Sequence, residues 1–107
     1  MQPVHLLNPI EFVKAMLLYI VTYDISSNRR RKKVSDILEG YGKRVQYSVF
    51  EVILSQSKCA ELQRRLRRYF NPDEDSIRFY PVSRHTLGQV EIWGEIPLSE
   101  PQKSIII

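Results

Sequence analysis

Apolar residues fall on both parities between Met16 and Tyr23. Leu17, Tyr19 and Val21 point one way and Leu18 and Ile20 the other, which predicts a central strand covered on both faces. Asp24 ends it. Ser26, Ser27 and Asn28 then offer helix caps. Val34, Ile37, Leu38 and Tyr41 follow the i, i+3, i+4, i+7 spacing of a helix that runs to about Tyr41. Gly40 and Gly42 close it, one of them in the left-handed cap conformation.

Lys43–Leu54 is rich in β-formers. No Asn-Gly or Asp-Gly divides it, so pattern alone gives one long, bent strand. Ser55 and Ser57 cap a second helix, which ends near Phe70 and carries Leu62, Leu66, Tyr69 and Phe70 on its apolar side. The Asn71–Asp75 run reads as a turn. Ser76–Ser83 follows as a strand with Ile77, Phe79 and Pro81 on one side, and Gln89–Gly94 as a short last strand. Pro97 and Pro101 keep the tail extended.

The expected fold is α+β: a ferredoxin-like βαββαβ sandwich with an extra C-terminal strand and two helices on one face of a mainly antiparallel sheet. Residues 16–94 form the domain. Residues 1–15, with Pro3 and Pro9 and no period, read as an extension ahead of it, or as a mis-assigned start upstream of Met16. Residues 95–107 form an extended tail ending in Ile105-Ile106-Ile107. The helices cover one sheet face, and so short a chain has little left for the other. That bare face and the apolar tail predict a homodimer.

Length and composition narrow the picture. A chain of 107 residues with 43% hydrophobic content builds one modest core. The single cysteine, Cys59, excludes an internal disulfide and a cysteine-based zinc site. The longest apolar run, near Ala15–Val21, is too short to cross a bilayer, and no signal-peptide pattern opens the chain. The expected location is cytoplasmic, with no membrane partner. The net charge of +4 matters less than its placement. Five cations lie in Arg29–Lys33 and four in Arg64–Arg68.

Arg29, Arg30, Arg31, Lys32 and Lys33 occupy the first turns of a helix, where the macrodipole disfavours positive charge. A local rule broken this way points to function. A bound phosphate reverses the sign, because helix N-termini and arginine both favour anions. Nucleic-acid backbone is the partner read from this run. Arg64, Arg65, Arg67 and Arg68 suit a helix C-terminus without any ligand, yet can add phosphate contacts.

Asp24 has two readings. The plainer is a turn or capping residue. The functional one is a ligand of Mg²⁺, which is often held by one or two carboxylates plus water and phosphate oxygens. A two-fold dimer supplies a second copy. Tyr23, Tyr47 and Phe50 lie near this point, with core packing as the simpler role and base stacking as the alternative. Ser48 has no His or Asp at motif spacing, His5 lies in the N-terminal extension, and His85 follows Arg84 in a loop, where solvent exposure is the default. No phosphate-binding glycine loop is present.

Three segments together resemble the CRISPR-associated protein 2 family: Tyr23-Asp24-Ile25-Ser26, the Arg29–Val34 run, and Tyr41-Gly42-x-Arg44-Val45-Gln46-Tyr47-Ser48-Val49-Phe50-Glu51. The likeness runs in order from Met16 to about Glu100. It implies a ferredoxin-like homodimer whose C-terminal strand joins the partner's sheet, with Lys43–Leu54 divided into two short strands. It also implies partnership with the CRISPR integrase, the small dimer bridging two integrase dimers along the incoming DNA. Some relatives resemble metal-dependent endonucleases acting on single-stranded RNA or double-stranded DNA. Asp24 matches their metal ligand, and Tyr23, Arg31 and Phe50 match other positions tied to that activity.

Three functions follow. One is a DNA-binding bridge in spacer acquisition, which does not need Asp24. Another is a Mg²⁺-dependent endonuclease, which does. The third is a toxin-like metal-dependent endoribonuclease unconnected with CRISPR, which fold alone leaves open.

Overall fold

A computed structural model describes residues 15–101. The order of elements is β1 (Leu17–Asp24), α1 (Asn28–Glu39), β2 (Gly42–Gln46), β3 (Val49–Leu54), α2 (Gln56–Arg67), β4 (Ser76–Val82) and a single helical turn, α3 (Arg84–Leu87). The four strands make one antiparallel sheet in the order β2-β3-β1-β4. This is the expected βαββαβ sandwich. β1 is an interior strand paired on both sides, as its two-sided apolar pattern demands.

Register assigns the two faces. Val21 lies opposite Phe50 and Phe79, and Tyr23 opposite Ile77. These side chains turn toward the helices and join Val52, Leu54, Val34, Leu38, Leu62 and Leu66 in the core. The other face carries Leu18, Ile20, Thr22, Val49, Glu51, Ile53, Arg78, Tyr80 and Val82 by the same alternation. Leu18 and Val82 are buried there, while Tyr80 is 46% exposed.

The caps follow from the sequence. Ser27 is the N-cap of α1, its Oγ accepting from Arg30 N at 3.2 Å. Ser55 does the same for Lys58 N in α2.

Three expectations need correction. The stretch from residue 43 to 54 is two strands, not one, joined at Tyr47-Ser48. Gly94 is the sole residue with positive φ among those described, so this turn uses none of the left-handed chemistry that marks a hairpin in sequence. Second, α1 stops at Glu39, and Gly40 is right-handed at φ −76°. Gly40 N donates to Ile37 O at 3.0 Å and Tyr41 N to Leu38 O at 2.9 Å. The last turn tightens to i→i+3 bonds instead of adopting a left-handed cap.

The third correction concerns Gln89–Gly94, which forms no strand in this chain. Ser83 caps α3 by accepting from Thr86 N at 3.1 Å, and the backbone leaves the sheet there. A strand exists only with a ladder partner, and this segment has none in the single chain. Val90, Ile92 and Trp93 are consequently exposed, Trp93 by 92%. Beyond them Ser99 donates from both N and Oγ to Glu51 Oε1, at 3.1 and 2.7 Å, and holds the tail to the sheet. Residues 1–14 of the expected extension, with His5, and the Ile105–Ile107 end of the tail lie outside the described residues.

Candidate functional site

The β1–α1 turn sets the geometry. Tyr23 and Asp24 are consecutive in a strand, so their side chains leave opposite faces. Tyr23 turns to the helix side and is buried. Its hydroxyl donates to Tyr47 O at 3.4 Å, and its backbone N to Ser48 O at 3.1 Å. Asp24 turns away from the helices and is exposed at the end of the β1–β4 ladder, opposite Ser76. Among the described residues its carboxylate takes part in no hydrogen bond or ion pair.

On the helix side a cleft of about 260 Å³ is lined by Tyr23, Asn28, Arg31, Lys32, Ser35, Arg44 and Tyr47. No acid lines it. Arg31 is fixed in place: Nη1 donates to Ile25 O at 3.0 Å and Nη2 to Asn28 Oδ1. Arg44 crosses from β2 to donate to Tyr47 O and to Ser35 Oγ of α1, with Glu39 at 3.5 Å. Its guanidinium lies 5.0 Å from the centre of the Phe50 ring. Lys32 pairs with Asp36 at 3.1 Å on the exposed surface. Such a cleft can hold a phosphate between guanidinium groups.

The sequence-predicted residues separate into distinct roles here. Tyr23 and Arg31 meet in the cleft. Phe50 does not reach it: the ring is fully buried, 6.3 Å from Tyr23, and supports Tyr23 and Arg44 from below. Asp24 faces the opposite side of the sheet. Arg29 is exposed and has no partner among the described residues. Arg30 is occupied, with Nε 2.9 Å from Asp75 Oδ2 and Nη2 2.9 Å from Glu74 Oε2. Lys33 lies 6.0 Å from the centre of the Tyr69 ring. Arg65 donates to Tyr41 Oη at 3.0 Å, while Arg64 and Arg68 are exposed on α2 and its C-cap.

Asp75 is the counterpart of Arg30. Its side chain is fully buried, and it also accepts from Asn71 N at 3.0 Å and Ser26 N at 3.3 Å. These bonds, led by Arg30, hold its pKa down at about 2. The Arg30 guanidinium is correspondingly held above its ordinary range by Asp75 and then Glu74. Arg30 therefore ties the start of α1 to the 71–75 turn.

Arg44 had no sequence-level role as a ligand, because it sat in an apparently continuous strand. Tyr47, with core packing as its simpler reading and base stacking as the alternative, is 76% exposed at the hairpin tip. Recognising the turn at 47–48 was the signal needed for both.

The family model described as CRISPR associated protein Cas2 matches residues 16–90. The chain belongs to the CRISPR-associated Cas2 family. A CRISPR-associated endoribonuclease Cas2 of Synechocystis sp. is 62% identical over 92 residues, covering 86% of this chain and all of the relative. The crystal structure of Streptococcus pyogenes Cas2 superposes with a TM-score of 0.63 at 32% identity, covering 72% of this chain and 99% of that one. A chain of a partial Cas6-RT-Cas1–Cas2 complex gives 0.63 at 31% identity, covering 71% and 89%.

Family membership raises the question of a metal. No group of three or more His, Cys, Asp or Glu side chains capable of holding an ion occurs among the described residues. Asp24 by itself offers Mg²⁺ only a partial ligand set: its carboxylate is exposed and makes no hydrogen bond or ion pair among the described residues, and the ion would take water and phosphate oxygens for the rest. No described helix is long and apolar enough to cross a membrane.

Proposed function

We propose that two copies of this chain pair through the sheet face opposite the helices and serve as the nucleic-acid-binding subunit of CRISPR spacer acquisition in the cytoplasm, bridging dimers of the integrase. The observation that carries this reading is the acid-free cleft in which Arg31, Lys32 and Arg44 converge beside Tyr23 and Tyr47. Its basic lining suits a phosphodiester, and Tyr47, largely exposed, suits an unpaired base. The solved complex containing Cas1 and Cas2 supports the integrase as partner. The half-buried Ile20, Val49 and Ile53 on the bare face support a second copy as its cover.

Asp24 favours a second activity, Mg²⁺-dependent endonuclease action on single-stranded RNA or double-stranded DNA, in keeping with the endoribonuclease name of the Synechocystis relative. In the pair, Asp24 of each protomer would hold the ion, which when bound would polarise a phosphoryl oxygen and supply an activated water. Tyr23, on the other face of the same strand end, and Arg31, on α1, act here by gripping the phosphate chain, with Phe50 as support. The Cas2 match over residues 16–90 weighs against a toxin-like endoribonuclease unconnected with CRISPR.

The two activities separate by substitution. Asp24→Ala should leave affinity for duplex DNA within about twofold, since no phosphate contact is lost. It should abolish any cleavage that Mg²⁺ restores after EDTA. Arg31→Ala should weaken binding itself. Unchanged binding by Arg31→Ala would remove the cleft from the account.

A further inference from the structure

Helix α1 carries cations on both of its flanks. At 100° per residue, Asn28, Arg31, Lys32 and Ser35 centre on one side, and Lys33, Asp36 and Ile37 lie about 140° around the axis. The first group lines the cleft already described. The second lines another, of about 260 Å³, together with Arg65, Arg68 and Tyr69 from α2 and the turn after it.

This second cleft is built. The Tyr41 hydroxyl donates to Glu61 Oε2 at 2.6 Å and accepts from Arg65 Nη1 at 3.0 Å, so Arg65 is held in one direction. Its guanidinium also lies 5.4 Å from the centre of the Tyr41 ring. Lys33 stands over Tyr69. Arg68 has no side-chain partner among the described residues. Asp36 is the one acid in the lining, and Lys32 neutralises it from the crest at 3.1 Å. Three cations therefore converge: Arg65 shares Glu61 through the Tyr41 hydroxyl, while Lys33 and Arg68 have no acid paired with them among the described residues. The dipole at the end of α2 accounts for Arg65 and Arg68. It does not account for Lys33, which comes from the middle of α1.

Arg29 and Lys32 occupy the crest between the clefts and are exposed. A continuous basic track thus runs from Arg44 and Arg31, over Lys32 and Arg29, to Lys33 and Arg68. We infer that this track crosses α1 as two separate phosphate subsites, and that its ligand is an extended phosphodiester strand reaching both. The inference rests on the nucleic-acid reading above and adds to it a second subsite and a minimum length. A helix with its side chains is about 10–12 Å across, and one strand advances about 3.4 Å per nucleotide along a nucleic-acid axis. About four nucleotides are needed to span the crest; a shorter ligand occupies one subsite.

The test uses the full chain and fluorescein-labelled oligothymidylates of about 3 and about 12 nucleotides, titrated across a salt series. Circular dichroism confirms folding of Arg31→Ala, of Arg68→Gln, and of the double variant Lys33→Ala with Arg68→Gln. For the longer strand, the double variant should lower affinity on the order of tenfold and reduce the log–log salt slope by about 1.4, two contacts at about 0.7 each. Arg68→Gln alone should give about half that change in slope. For the short strand, which a single subsite holds, the double variant should change affinity by no more than about twofold. If Arg31→Ala weakens the longer strand and the double variant does not, the second subsite is wrong and the nucleic-acid reading stands. If the unaltered protein binds neither strand, both fail.

Discussion

Arg30 and Asp75 form a two-point ion pair, with Nε 2.9 Å from Oδ2 and Nη2 3.0 Å from Oδ1. It joins the first turn of α1 to the turn before β4, 45 residues further along. The Asp75 side chain is fully buried and Arg30 is 21% exposed, so the pair lies at the edge of the core, unlike an ordinary surface bridge. Removing the carboxylate leaves Arg30 with only the exposed Glu74 and orphans the Ser26 and Asn71 amides. Asp75→Ala should cost about 2 kcal/mol. Glu74→Ala should cost no more than about 0.5 kcal/mol. Urea unfolding of both variants checks the contrast.

The same pair predicts a dependence on acid. Asp75 has its pKa lowered from 3.8 to about 2 in the folded chain. A depressed carboxylate contributes stability that is complete above its unfolded pKa and is lost as pH falls toward the folded one. Wild-type stability should therefore drop between about pH 4 and pH 2. In Asp75→Asn this component should be missing, and the two proteins should converge in stability at the acid end. Urea midpoints measured at several pH values check it.

Gly42 of β2 is paired with Val52 of β3, and no space is left there for a side chain. A Cβ there would fall onto the Glu51 carbonyl oxygen and 2.9 Å from Val52 Cα, both of them backbone atoms. The neighbour has no flexible end to move aside. Gly42→Ala should destabilise by about 1–3 kcal/mol. It should also disturb the hairpin that carries Arg44 and Tyr47. The Gly40 site has only Ile37 O at 3.3 Å and should tolerate alanine far better. Paired thermal melts distinguish the two positions.

Phe50 is a core residue whose loss should act through folding. Its ring is fully buried beneath Tyr23 and Arg44. Phe50→Ala should cost about 3–5 kcal/mol. At a temperature where Phe50→Leu is still folded, that variant should retain most of its nucleic-acid affinity. A Phe50→Leu protein that is fully folded yet loses binding would mean that the ring meets the ligand.

Most of the architecture was legible from period and caps. The two-sided apolar run of β1 placed it inside the sheet, and the cap candidates Ser26, Ser27 and Asn28, then Ser55 and Ser57, bracketed the helix starts, at which Ser27 and Ser55 are the caps. What escaped depended on information outside the local pattern. The Tyr47-Ser48 turn lacks positive φ, so it carries none of the glycine or asparagine that announces a hairpin. Gln89–Gly94 has strand-like composition but no ladder partner in one chain. The engagement of Arg30 was hidden because Asp75 is distant in sequence, whereas the anomaly that drew attention to its run, cations at a helix start, was local. Tyr23 and Asp24 read as one motif, yet strand alternation sends them to opposite faces.

The central claim is that the cations at the start of α1 bind a nucleic-acid backbone. The most direct measurement is the salt dependence of duplex DNA binding by the unaltered protein and by Arg31→Ala combined with Lys32→Ala. Loss of two phosphate contacts should reduce the log–log slope by about 1.8, with weaker affinity at every salt concentration. An unchanged slope and affinity in a correctly folded variant would contradict it.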